Sequence, residues 1–300
     1  MRKSLALTLS AGLLVALAGC SGAPAAPDCS KVTPSGDASS IVTATGEAGA
    51  DPQASFPFPL TVDEAQSSVL IEGEGDPIGI GGTIAGSYTI YDGESGQPAG
   101  ATQATALVVS DGLPEGLRDA LLCSTSGQRT VVVLPNDEAS QIVDGAPGSI
   151  VMVFDVSAAF PQAADGADQP ATSGFPGVVH APDGRPGITI GAQTAPEEAK
   201  SALLKKGDGA EVAEGDTVVV QSTAVSYSTR AVTSSTWEDG SPAVWTMSDD
   251  EAAASASQPA GISEFLVGQK VGSEVIVVIP DGSGSATAYV VDIVGVLPAS

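Results

Sequence analysis

The sequence predicts an α+β chain built from two tandem units, each a small sheet with one short helix. Three observations lead there. The 300 residues allow two domains of ordinary size. Val, Ile and Thr recur in short runs bounded by Gly, Pro and Asp, a strand-and-turn pattern with little helix. The chain also repeats itself: Val69 through Ser87 shadow Leu203 through Gln221 at a constant offset, placing Gly73 on Gly207, Gly75 on Gly209 and Thr83 on Thr217.

In chain order, the first element is "MRKSLALTLSAGLLVALAGC". Arg2 and Lys3 form a positive n-region, and Leu5 to Ala18 is too short to span a bilayer, so residues 1–19 read as a signal peptide. Leu17-Ala18-Gly19-Cys20 resembles the bacterial lipobox, which makes Cys20 the expected lipidated first residue of a mature lipoprotein. Its paired acyl chains would anchor it stably, at the extracytoplasmic face of the cell membrane. Residues 20–36, small and proline-containing, read as a flexible tether. The first unit is assigned to 37–160, a linker to 161–173 and the second unit to 174–300.

Within each unit the expected order is strand, Gly-turn, strand, loop, strand, short helix, strand, loop, strand. "GLRDALLCSTSGQRTVVVLP" (116–135) matches "GISEFLVGQKVGSEVIVVIP" (261–280), and "SIVMVFDV" (149–156) is matched to "TAYVVDIV" (287–294). Leu117, Leu121 and Leu122 in one copy, and Ile262, Phe265 and Leu266 in the other, make one apolar stripe on a short helix. "RTVVVLP" and "EVIVVIP" are almost wholly apolar, as central strands are, with proline ending the ladder.

The net charge of −25 becomes −27 once residues 1–19 leave with Arg2 and Lys3. Such a chain is repelled by nucleic acid and by anionic lipid, so neither is an expected partner. With Cys20 carrying lipid, Cys29 and Cys123 remain, and an oxidising compartment permits one pairing between them. A buried free thiol at Cys123 is the alternative. His180, the only histidine, has no Cys/His partner and is read as a surface residue, which removes zinc and histidine-triad chemistry. "GIGG" (79–82) lacks the lysine and helix of a phosphate loop. Asp249-Asp250-Glu251 lacks EF-hand spacing and reads as a solvated loop. No metal or cofactor is expected.

"KKGDGAEVAEGDTVVV", "SSTWEDGSPAVWTM", "GISEFLVGQKVGSEVIVVIP" and "AYVVDIVGV" together resemble the FKBP-type peptidyl-prolyl cis-trans isomerases, in a tandem-domain lipoprotein form. The likeness covers most of 37–300 and is weaker in the first unit, whose middle loop "DGESGQPAGATQATALVV" hardly matches. It implies two antiparallel half-barrel sheets, each wrapped around one short helix, and exported proline-containing polypeptides as partners. Rotation about an X–Pro amide faces ~18–20 kcal/mol. The family lowers that barrier by holding the prolyl ring in a dry aromatic pocket and favouring the twisted amide.

Carried over residue by residue, that pocket is depleted. In the second unit the family's strand-end tyrosine falls on Ser222, its phenylalanine–aspartate pair on Thr233 and Ser234, and its tryptophan floor on Ile262. Pro259 stands where a backbone N–H should hold the substrate carbonyl, and proline has none to offer. The first unit keeps Tyr88 but has Leu117 as floor and Pro114 at the donor position. Trp237 and Trp245 are assigned to packing. Aromatic residues make up only 4% of the chain, so the expectation is an isomerase-like protein with an incomplete site in both units, or a non-catalytic binding module on the same fold.

Overall fold

The computed structural model describes residues 26–46, 52–248 and 255–297, with backbone alone at 102–105. A 3-10 turn (Cys29–Lys31) leads to α1 (Asp37–Ser40) and the hairpin β1 (Thr43–Thr45) and β2 (Gln53–Ser55). The first repeat follows as β3 (Gln66–Ile71), β4 (Thr83–Asp92), β5 (Pro98–Val108), α2 (Glu115–Leu121), β6 (Arg129–Leu134), α3 (Asn136–Ile142) and β7 (Ile150–Phe160). Then come β8 (Ala167–Asp168) and a second hairpin, β9 (Gly177–His180) and β10 (Pro186–Thr189). The second repeat comprises β11 (Lys200–Lys206), β12 (Thr217–Ser226), β13 (Val232–Ser235), α4 (Thr236–Asp239), β14 (Ala243–Thr246), α5 (Ser263–Leu266), β15 (Glu274–Pro280) and β16 (Ala286–Val296).

Both sheets are antiparallel and share one strand order. The first runs β3-β6-β7-β4-β5; the second runs β8-β11-β15-β16-β12, with β13 and β14 dividing the outer edge of β12. The repeat extends to irregularities of register. A bulge between Val69 and Ile71 is matched by one between Leu203 and Lys205. Another between Ala85 and Gly86 is matched between Val219 and Val220. The repeated glycines have a steric cause: a Cβ on Gly73 would lie 2.5 Å from the Ser126 carbonyl oxygen, and one on Gly207 2.1 Å from that of Val271. These carbonyls occupy equivalent places in the turn that follows each helix.

The last strand corrects the expected match of Ser149 to Thr287. Arg129 pairs with Asp155 and Glu274 with Asp292, so Asp155 is equivalent to Asp292 and Ile150 to Thr287, one residue away from the ungapped match. In a strand a one-residue slip exchanges the two faces, so the correction decides what each side chain touches.

The helix stripes face the sheets as expected. Leu117, Ala120 and Leu121 pack with Ile84, Ile90, Val132, Met152, Phe154 and Val156. Ile262 and Leu266 pack with Val218, Val220, Trp245, Val275, Val277, Val291 and Ile293. Leu122 is buried too, but it lies past the end of α2 in extended conformation.

The opposite face of each sheet is also covered, which the sequence reading did not anticipate. α1 and the first hairpin lie over sheet one, where Ala38, Val42 and Leu60 meet Val131, Val133, Val151 and Val153. The second hairpin lies over sheet two, where Ile190 and partly buried Phe175 and Ile188 meet Val225, Val278 and Ala288. The expected tether and linker are therefore docked. In the tether, Cys29 is bonded to Cys123 with Cα atoms 5.8 Å apart, and buried Thr33 donates to the Gly116 carbonyl at 2.9 Å. In the linker, Ala163 and Ala164 are fully buried and β8 pairs with the edge of β11. Burial of apolar surface and an open strand edge supply the reason for both. The loop after Pro135 likewise forms α3.

The repeats meet through equivalent positions. Ala85, Phe160, Val219 and Val294 form one buried cluster, joined by Ala158 and Leu297. By the register, Ala85 corresponds to Val219, Ala158 to Gly295 and Phe160 to Leu297. The contact thus has approximate two-fold character, as when one patch meets its own copy.

Candidate functional site

Repeat 1 gathers its expected pocket residues. Tyr88, half-buried on β4, and Leu117 on α2 belong to one apolar cluster. Phe154 on β7 joins them, its ring centroid 5.1 Å from that of Tyr88 with planes tilted by 38°. Sequence reasoning passed over Phe154. The signal was available in "VFDV", but the shifted match of the last strand assigned it to the wrong partner in repeat 2.

The start of α2 is occupied from outside. Pro114 precedes it, and its carbonyl accepts from Arg118 N at 2.9 Å, so the proline serves as the helix N-cap. Glu138, on the unexpected α3, accepts from the Gly116 amide at 2.7 Å. Burial, ahead of the opposing effect of that hydrogen bond, holds the Glu138 carboxyl above its ordinary range. Pro114 has no amide to offer, and the Gly116 amide is already bonded.

Repeat 2 does not assemble an equivalent constellation. Ile262 is 0% exposed among Trp245, Met247 and Leu266, so it fills the core and offers no floor to a ligand. Ser222 is buried, its amide donating to Thr236 Oγ1 at 2.9 Å. Thr233 and Ser234 are exposed on β13, where Ser234 pairs with Ala224. Pro259 accepts from the Ile262 amide at 3.2 Å and opens the helical turn. The aromatic nearest in kind is Tyr289, half-buried against this core, its phenol pushed up by burial. It is equivalent to Met152, one pair removed from the Phe154 position.

The two tryptophans separate. Trp245 is 1% exposed in the core, whereas Trp237 is half-buried on α4 and its ring approaches Gly184 in the turn of the second hairpin. His180 is exposed, as expected, but has a partner the sequence did not show. It is 26% exposed at the side chain, and its Nε2 lies 2.7 Å from Glu274 Oε1. The reason is the hairpin, which folds His180 back onto sheet two across 94 residues of sequence.

Among the described residues no group of His, Cys, Asp and Glu could hold a metal ion, and no helix is long and apolar enough to cross a membrane. Cys20 and Asp249-Asp250-Glu251 lie outside the described residues.

No family model matches the sequence, and no curated protein matches it. Solved structures similar to the chain are FKBP-type peptidyl-prolyl isomerases, multi-domain ones among them. The three FKBP domains of wheat FKBP73 align over 81% of this chain and 99% of that one, at 15% identity and a TM-score of 0.34. FkpA from Escherichia coli aligns over 41% and 53%, at 19% identity and a TM-score of 0.28. A peptidyl-prolyl cis-trans isomerase from Pseudomonas syringae aligns over 33% and 77%, at 19% identity and a TM-score of 0.28.

Proposed function

We propose that this chain is an FKBP-like protein, lipid-anchored through Cys20 at the extracytoplasmic face of the cell membrane, that assists the folding of exported proline-containing polypeptides. Any isomerase activity belongs to repeat 1 and is weak. The observation that carries this reading is the half-buried Tyr88 ring, which packs on the buried Phe154 and Leu117 and is the accessible aromatic edge of that cluster against which a prolyl ring can pack. Such a surface can favour a twisted amide by excluding water from it. What it lacks is a free amide at Pro114 to hold the substrate carbonyl as resonance is lost.

The test is cis-to-trans conversion of a Leu-Pro peptide by the purified full chain, alongside an intact family member. The chain is expected to be slower by at least ~100-fold, since missing contacts summing to ~3 kcal/mol give that factor. Tyr88→Ala should remove most of the remaining rate and Ser222→Ala should not. Conversion equal to that of the intact enzyme would overturn the claim of an incomplete site.

A second reading, a non-catalytic polypeptide-binding module, is favoured in repeat 2 by the complete burial of Ile262. Suppression of client aggregation that survives Tyr88→Ala would support it.

A further inference from the structure

Each sheet carries one row with charged groups buried at its centre across the face its hairpin covers, and the two rows occupy equivalent positions. In repeat 1 the row is Ile71, Arg129, Asp155 and Ser87; in repeat 2 it is Lys205, Glu274, Asp292 and Gln221. Repeat 1 neutralises itself. Arg129 grips Asp155 in a bidentate pair, Nη2 to Oδ2 at 2.8 Å, and also donates to the Gly46 carbonyl of the covering segment at 3.1 Å.

Repeat 2 puts glutamate where repeat 1 has arginine. Glu274 and Asp292 then face each other from neighbouring strands at 0% and 1% exposure. One oxygen of each, Glu274 Oε2 and Asp292 Oδ1, is buried without a hydrogen-bond partner. The neighbours do not supply one. Lys205 donates its ammonium to the Ala164 carbonyl at 2.9 Å, and Gln221 accepts from Thr236. His180 sits on the other Glu274 oxygen. Asp165, Asp168, Asp183 and Arg185 of the covering segment are exposed.

Two orphan acceptors side by side in a dry row are satisfied together by a single proton placed between them. We propose that Glu274 and Asp292 form a proton-binding pair that latches the covering segment of repeat 2, closed while the two carboxyls share one proton and loosened as that proton leaves. The latch is specific to this segment because its contacts with the row come from it: Ala164 meets Lys205 and Asp292, and His180 meets Glu274. Burial first, then the charge of Glu274, pushes the Asp292 carboxyl well above its ordinary range, with Lys205 pulling the other way.

The sign follows by linkage. With the segment lifted, water reaches both carboxyls and Asp292 returns to its ordinary range. Between that range and the raised value, the closed state therefore holds about one proton more than the open one. Closure is strongest at low pH and weakens by up to about tenfold per pH unit as pH rises through that window. It levels off once the pair has lost its proton in both states.

The test is amide hydrogen exchange of the full chain across pH 5–9, corrected for intrinsic rates. Peptides over 163–190 report the latch; those over 37–46 and 52–62, which cover the Arg129–Asp155 pair, are the internal control. Protection of 163–190 should fall with rising pH while the control stays flat. Asp292→Asn should flatten the profile and keep protection at high pH, and Glu274→Gln provides a second variant should the first fail to fold. His180→Gln removes the imidazole but keeps a donor, and should leave the wild-type profile in place. A protonated-carboxyl stretch in the infrared at neutral pH should vanish in Asp292→Asn. A flat wild-type profile, loss of the profile in His180→Gln, or no protonated-carboxyl band would each overturn the proposal.

Discussion

Gly295→Ala should separate the two repeats while leaving each sheet intact. A Cβ at Gly295 would lie 2.0 Å from Phe160 Cδ1 and 2.2 Å from Cε1, whereas carbons rest at roughly 3.5–4.0 Å. The backbone cannot retreat, because β16 is paired to β12 with Val219 opposite Gly295. The Phe160 ring must therefore leave its buried cluster, at a cost of about 1.5–3 kcal/mol. That loss falls on the contact between repeats, so scanning calorimetry of the full chain should show one transition split into two. The structure also supplies a suppressor. At the equivalent positions Ala158 and Leu297 occupy the same cluster, so a methyl is tolerated where the larger partner is leucine. Adding Phe160→Leu to Gly295→Ala should restore the single transition, with a coupling energy of at least ~1 kcal/mol. An unchanged melt for Gly295→Ala, or strictly additive behaviour of the pair, would refute this account of the interface.

Three further outcomes are expected. Reducing the Cys29–Cys123 bond, which closes a separation of 94 residues, should cost ~4–5 kcal/mol in the chain-entropy model, read as a reductant-dependent urea midpoint that Cys29→Ser abolishes. Asp155→Asn removes the carboxylate that grips the buried Arg129 guanidinium and should destabilise repeat 1 by about 3–5 kcal/mol in urea titrations, whereas replacing both residues with apolar ones of similar volume should cost much less. Cys20→Ala should move the protein out of the membrane fraction, and retention there would remove lipidation as the anchor.

The elements that were legible in sequence are those whose signal is local. The helical stripes at Leu117–Leu121 and Ile262–Leu266 need only their own spacing to be seen, and both face a sheet. The 134-residue offset between the first strands of each repeat holds through two bulges, because the glycines at 73 and 207 answer the same backbone approach. The sequence also pointed to Tyr88 and Leu117 as one set, and the structure places both in one cluster. The covering hairpins were not, since β1, β2, β9 and β10 are three or four residues long and take their stability from the sheet beneath.

By itself the sequence determined that there are two copies of one strand-rich unit, and it offered Cys29 and Cys123 as a pair. Only the tertiary structure decided the phase of the last strand, the burial of Ile262, the partner of His180 and the fate of the connecting segments. The physical reason is the same in each case. Apart from Thr287 and Asp292, "TAYVVDIV" is apolar on both faces, so its alternation alone does not settle which side meets the helix, and the partner strand β15 sets it by pairing Glu274 with Asp292. That single register places two carboxyls together under the second hairpin, where an arginine and an aspartate stand in the first.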